Sequence, residues 1–213
     1  MIARTLYTWR NGLVYAALLL VLAILLIVSP AEATLGQVVK IVYAHGAAER
    51  IAEYAYVVAG GLGLVSLVLQ RASLARWTQA TIETAIVFWL AQIVVSLPAQ
   101  MLAWGGITLT EPRVAGALWI LGLTTLVYLV ARWINDPGWI ALAAIANTII
   151  FFIVLRGAVN ILHPFDPILG SNSLTIKGFY AAIVLTMGML ALQLVRDRAR
   201  IGKESHGEST ILE

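Results

Sequence analysis

The sequence contains no cysteine among its 213 residues. That absence excludes structural disulfides, thiolate metal sites and covalent thioether attachment of a prosthetic group. Any metal ion held by this chain must therefore be bound through histidine, carboxylate or methionine side chains.

Charged residues are also scarce. They make up 12% of the chain, against roughly 25% in an ordinary soluble domain, and 61% of the residues are hydrophobic. No soluble core needs so much apolar surface, whereas a bilayer accepts helices that are apolar all round. No basic run with interleaved aromatics suggests nucleic acid as a partner. Membrane lipid is the partner that this composition predicts.

Six segments have the roughly 20 mostly apolar residues that a spanning helix needs. They lie near residues 11–30, 51–70, 82–102, 114–132, 138–156 and 178–195. The sequence thus predicts an all-α integral membrane bundle of six transmembrane helices, one domain over residues 1–195, with a polar cytoplasmic tail at 196–213. The first segment could instead be a cleaved signal peptide, but its apolar run exceeds the usual core of about 7 to 15 residues.

The basic residues indicate an orientation, because cytoplasmic loops carry an excess of Lys and Arg. With the N-terminus inside, nine basic residues fall on the cytoplasmic side and five on the outer side. Three segments then face outwards, at 31–50, 103–113 and 157–177. Both termini are expected in the cytoplasm.

The stretch from Leu35 to His45 is expected to form an outer-face interfacial helix. Its apolar positions recur at helical spacing, and Gln37 and Lys40 lie on another face. The chain would then turn into the membrane at His45 and Gly46. Such a helix could cover a pocket at the outer end of the bundle.

Two of the three histidines lie in the outer segments. His45 and His163 are each at a helix edge, whereas His206 is in the polar tail. If the second and sixth helices are neighbours, two neutral imidazoles could form an axial pair for a haem iron. Alternatively, each is an interfacial histidine hydrogen-bonded to nearby groups. Glu49, one turn after His45, could hold the other ring nitrogen and fix its tautomer.

Two arginines lie at the same outer level. Arg113 and Arg156 could pair with the propionates of a haem, or they could extend to the membrane interface as arginines at helix ends often do. The sequence has no nucleophile and base constellation, no phosphate loop and no zinc spacing. We therefore do not expect an enzyme.

Three motifs resemble a known family, the haem-handling membrane proteins of cytochrome c maturation (the CcmC and CcsA group). In this chain "KIVYAHGAAE" is similar to the family's first histidine segment, and "NILHPFDP" is similar to its second. Between them, "WGGITLTEPR" keeps Trp104, Gly105 and Arg113 of a tryptophan-rich motif, with Glu111 where the family has aspartate. The resemblance runs from about Leu35 to Ile168, with the motifs in the family's order.

The resemblance implies a set of roles. His45 and His163 would be the axial ligands of a non-covalently bound haem b, and Trp104, Glu111 and Arg113 would contribute to its pocket. The function implied is haem delivery or export for cytochrome c maturation, with other maturation or ABC-transporter membrane subunits as partners.

The chain also departs from the family pattern. The tryptophans expected in the central motif are replaced by Ile107, Thr108 and Thr110, and the pair expected before the second histidine by Ala158 and Val159. These losses remove most of the stacking surface for presenting haem to an acceptor. The alternative is therefore a haem-binding or structural subunit of a larger respiratory or photosynthetic membrane complex. A small transporter is less favoured, because no inverted repeat is evident and intramembrane charges are few.

Overall fold

The described part of the chain folds into a bundle of six long helices. This computed structural model describes the backbone of residues 2–159 and 168–209 and the side chains of residues 10–159 and 168–201. The helices are α1 (Ile2–Val28), α2 (Val39–Leu69), α3 (Ala72–Trp104), α4 (Pro112–Ile134), α5 (Pro137–Gly157) and α6 (Leu174–Ser209). Each contains a segment long and apolar enough to cross a membrane. The predicted all-α bundle of six membrane-spanning helices is confirmed.

Acidic side chains define where α4 and α5 begin. Glu111 Oε2 accepts a hydrogen bond from Val114 N at 2.8 Å, and Asp136 Oδ1 accepts from Gly138 N at 2.9 Å. Each carboxylate thereby pairs with an N–H group that the first helical turn leaves unsatisfied. Asn135 ends α4 in the left-handed conformation, with φ 57°. The connection between α4 and α5 is therefore tight, and the two helices pack side by side.

The helix α2 is the centre of the bundle and packs against α1, α3, α5 and α6. Two glycines allow its close approach to α5. A Cβ at Gly60 would lie 2.5 Å from Thr148 Oγ1, and one at Gly63 would lie 2.7 Å from the carbonyl oxygen of Ala141. The stretch "GGLG" at 60–63 is thus a close-packing surface between two helices.

The first helix is attached mainly to the last one. The carboxylate of Asp197 on α6 accepts hydrogen bonds from Asn11 Nδ2 at 2.8 Å and from the Tyr15 hydroxyl at 3.0 Å. Most other side chains along the apolar part of α1 are exposed at the bundle surface, where lipid would surround them. Polar pairing near one end therefore holds α1 in place.

The expectation of a separate interfacial helix between Leu35 and His45 is wrong. The chain enters α2 at Val39, and the helix then continues through His45 and Gly46 without a break. No proline follows His45 to interrupt the backbone hydrogen bonds. Gly46 instead packs closely, since a Cβ there would lie 3.3 Å from the Tyr180 hydroxyl.

The helices are longer than the apolar segments indicated. The first turns of α3, before the predicted segment, include Thr78 and Thr81, whose hydroxyls donate to the carbonyls four residues earlier at 2.9 Å and 2.7 Å. These bonds let polar residues lie buried in a helix, so a search for apolar runs misses such turns. At the other end of the chain, α6 continues to Ser209, so the segment predicted as a polar tail is helical that far.

Candidate functional site

A cavity of about 340 Å³ opens at the end of the bundle that the sequence predicts to face outwards. The first turns of α2 and α4 meet there with the last turns of α3 and α5 and the start of α6. Its walls are mostly apolar, and include Leu35, Val42, Ile93, Leu97, Leu118 and Leu155. The volume is within the range, about 300 to 1,000 Å³, typical of small-molecule sites.

The imidazole of His45 lies in the cavity wall in a defined orientation. Its Nδ1 is 3.1 Å from the carbonyl oxygen of Gln92 on α3. A carbonyl accepts but cannot donate, so Nδ1 carries the proton of this hydrogen bond. In the neutral ring the lone pair is therefore on Nε2. The His45 side chain retains 21% of its exposure.

An ion pair from two helices lies next to this ring. Glu49 on α2 accepts from Arg113 on α4, with Oε1 and NH2 2.8 Å apart. The other carboxylate oxygen, Oε2, is 3.9 Å from His45 Nε2, beyond hydrogen-bonding distance. From the sequence, the Glu49 carboxylate could hold the second ring nitrogen. In the structure the backbone carbonyl of Gln92 fixes the tautomer instead. Glu49 and Arg113 instead join α2 to α4 beside the histidine.

The turn before α2 places Leu35 against the cavity. The Glu32 carboxylate accepts hydrogen bonds from the backbone N–H groups of Thr34 and Leu35, both at 2.9 Å. These bonds favour the charged form and hold the pKa of Glu32 below its usual value. Because the folded pKa is lowered, the stabilisation of this turn is present above the usual pKa and is lost as the pH falls through the lowered one.

The structure brings part of the predicted site together. His45, Trp104 and Arg113 all line the cavity. Trp104 is the last residue of α3 and is 40% exposed at the rim. His163 lies outside the described residues.

Two of the predicted pocket residues have other positions. Glu111 is 2% exposed and caps α4, and it is not among the residues that line the cavity. Arg156 also lies outside the lining, with its guanidinium carbon 5.7 Å from the centre of the Phe152 ring. This contact is a cation–π pair. Glu111 therefore acts as the cap of α4, and Arg156 is on the bundle surface.

Three buried polar residues of the cavity wall were not identified from the sequence. Gln92 and Gln100 are on α3 and Tyr180 is on α6, and all three are at least 95% buried. Gln100 Oε1 accepts a hydrogen bond from Thr108 N at 3.1 Å. Two amide side chains inside one spanning helix are costly to place in lipid. Their presence in the sequence could therefore have indicated a polar site on α3.

The described residues contain no group of three or more His, Asp or Glu side chains that could hold a metal ion. A metal at His45 would therefore need most of its ligands from a bound molecule. The cavity combines one oriented nitrogen donor, a neutralised ion pair and apolar walls.

No protein-family model matches the chain. No curated protein matches it significantly. The chemistry of the cavity is thus the basis for a functional proposal.

Proposed function

We propose that the chain binds haem b non-covalently in this cavity, with His45 as an axial ligand of the iron. One observation carries the proposal, the hydrogen bond from His45 Nδ1 to the Gln92 carbonyl. Histidines that ligate metals usually donate their other ring N–H to a carbonyl or carboxylate, which fixes the ring and raises the basicity of the ligating nitrogen. Here that nitrogen is Nε2, on a residue that lines the cavity.

The residues present fit such a group. Haem supplies four nitrogen ligands of its own, so a single protein nitrogen on each face is enough, whereas a bare ion would need a cluster that the described residues lack. The aliphatic walls suit the apolar faces of a macrocycle, and the exposed rim residues Trp104 and Leu109 leave room at the mouth. The absence of cysteine excludes thioether attachment of the haem, in keeping with non-covalent binding.

The chain's own residues would bind and orient the ligand. The backbone of α3 holds the His45 ring, and the Glu49–Arg113 pair keeps each charge matched next to it. The aliphatic walls exclude water from the iron side of the imidazole. His163 is the second axial ligand in this proposal, on the basis of the sequence resemblance.

We propose haem delivery or export for cytochrome c maturation as the biological role, by binding and handover rather than by a reaction on this chain. The support is the order of the three motifs and the gathering of His45, Trp104 and Arg113 at one cavity. On the same basis the membrane is a bacterial inner membrane with both termini inside, and the partners are maturation or ABC-transporter subunits.

An absorption spectrum tests the proposal directly. Protein purified from haem-replete cells should show a bis-histidine Soret band, and the band should be lost in His45→Ala and in His163→Ala. His206→Ala is the matched control and should keep the wild-type spectrum. Wild-type protein that carries no haem under these conditions would contradict the proposal.

A second candidate is a permanent haem-binding subunit of a larger respiratory or photosynthetic complex. The lost tryptophans favour it, because Ile107, Thr108 and Thr110 stand where the family has an aromatic stacking surface, and Ile107 is 47% exposed. Haem transfer to excess apomyoglobin separates the two roles. Release within minutes would support delivery, and retention over hours would support a permanent cofactor.

A further inference from the structure

The amide of Gln100 is a buried donor with no acceptor among the described residues. Its Oε1 accepts from Thr108 N at 3.1 Å, which defines the other amide atom as Nε2. Three buried side-chain atoms among the described residues have no hydrogen-bond partner, and of these only Gln100 Nε2 belongs to a residue of the cavity wall. Buried polar groups are nearly always satisfied, so an exception at a cavity indicates a missing acceptor.

The place of Gln100 in α3 limits what that acceptor can be. The His45 ring is bound to the carbonyl of Gln92, and Gln100 is roughly two turns further on, about 12 Å along the helix axis. A small ion cannot meet both residues. An extended ligand with a coordinating centre and an oxygen-bearing edge can do so.

The charges of the wall are already matched. Arg113 is paired with Glu49, and Arg50 donates to Glu53 at 2.8 Å. A ligand carboxylate in the cavity would therefore depend on neutral donors as well as on these arginines. The buried amide N–H₂ of Gln100 is a donor of that kind, and hydrogen bonds to charged acceptors are the stronger ones.

We propose that Gln100 determines ligand specificity by donating from Nε2 to a carboxylate of the bound molecule, which in haem b is a propionate. This inference rests on the proposed function and adds the recognition of the ligand's acidic edge. Nε2 is closed off from solvent, so the wall beside it must rearrange when the ligand enters. The rim segment around Thr108, which the same amide holds, would move with it.

The test uses an iron-free porphyrin, so that it does not depend on His45. The full chain in lipid nanodiscs is titrated with protoporphyrin IX and with its dimethyl ester, and the Kd is measured by fluorescence. Gln100→Glu keeps an acceptor for Thr108 N but replaces the donor with an oxygen. We expect this substitution to raise the Kd of protoporphyrin IX about tenfold or more and the Kd of the dimethyl ester less than about threefold.

Two further variants complete the test. Gln100→Met keeps the side-chain length without polar amide atoms and should weaken the binding of protoporphyrin IX several-fold. It takes the place of the Glu variant in the test if that variant does not fold. His45→Ala is tested with haem alone and should abolish the Soret band. Wild-type protein that binds protoporphyrin IX but shows no haem Soret band contradicts the proposed function and not the role of Gln100. Equal weakening of both porphyrins by the Gln100 variants, no weakening, or no porphyrin binding by wild type would overturn the inference.

Discussion

At the residue scale, the site depends on a charge balance next to one imidazole. Glu49 reaches Arg113 with one oxygen and lies 3.9 Å from His45 Nε2 with the other. Without the guanidinium, the Glu49 carboxylate would be left as an uncompensated, partly buried charge beside the imidazole. Arg113 therefore stabilises the surroundings of His45 by neutralising Glu49.

A double-mutant cycle measures that balance. We expect Arg113→Ala to weaken haem binding more than the double variant Glu49→Gln with Arg113→Ala, because the double variant leaves no uncompensated charge. The coupling energy should be about 1–3 kcal/mol for a partly buried pair. Soret titration of the two single variants and the double variant gives the value. Strictly additive effects would show that the pair does not act on the site.

The Gln92 carbonyl could not have been predicted from the sequence. His45, Trp104 and Arg113 are recognisable by residue type, and their motifs placed them at one end of the bundle. A backbone carbonyl is present at every residue, so its role depends only on how α2 and α3 pack. The same holds for Arg156, whose residue type suggested a pocket but which contacts Phe152 instead.

At the scale of elements, the beginning of α4 tests what Glu111 does. Glu111→Ala should cost about 0.5–2 kcal/mol of stability through the lost cap, measured by thermal unfolding in detergent. Glu111→Asp should keep most of the stability, because a shorter carboxylate also caps well. A shifted haem spectrum in the Asp variant at unchanged stability would instead indicate contact with the ligand.

The α2–α5 interface offers a matched pair of substitutions. Gly63→Ala should destabilise the bundle by about 1–3 kcal/mol, because its Cβ would meet a backbone carbonyl at 2.7 Å. Gly61→Ala has open space around its Cβ and should be neutral or stabilising, since alanine favours helix. Thermal unfolding of both variants decides the matter, and equal loss in the two would contradict the packing described here.

The existence of the six helices followed from the apolar runs, but their bounds did not. Hydroxyl groups such as that of Thr78 bond to their own helix, and so polar residues extend α3 beyond the segment that hydropathy detects. The interfacial helix was expected from periodicity alone, which cannot show that α2 continues through His45. Tertiary packing, as at Gly46 and Tyr180, decides that question.

At the scale of the whole molecule, six crossings by the described helices put the start of α1 and the end of α6 on the same side of the membrane. The charge bias predicts that this side is the cytoplasm. Because the chain has no cysteine, a single introduced cysteine can be labelled without background. Gly106→Cys should react with an impermeant maleimide in intact spheroplasts, and Gly202→Cys only after the membrane is permeabilised. The reverse pattern would invert the topology.

The hydrogen bonds from Asn11 and Tyr15 to Asp197 join the first helix of the chain to the last. During synthesis α1 enters the membrane first, and the Asp197 carboxylate is inserted last, after four intervening helices. Until then Asn11 and Tyr15 cannot reach this carboxylate, and α1 can pack only against α2. The bundle is therefore closed in the final step of insertion, when the last helix recruits the first.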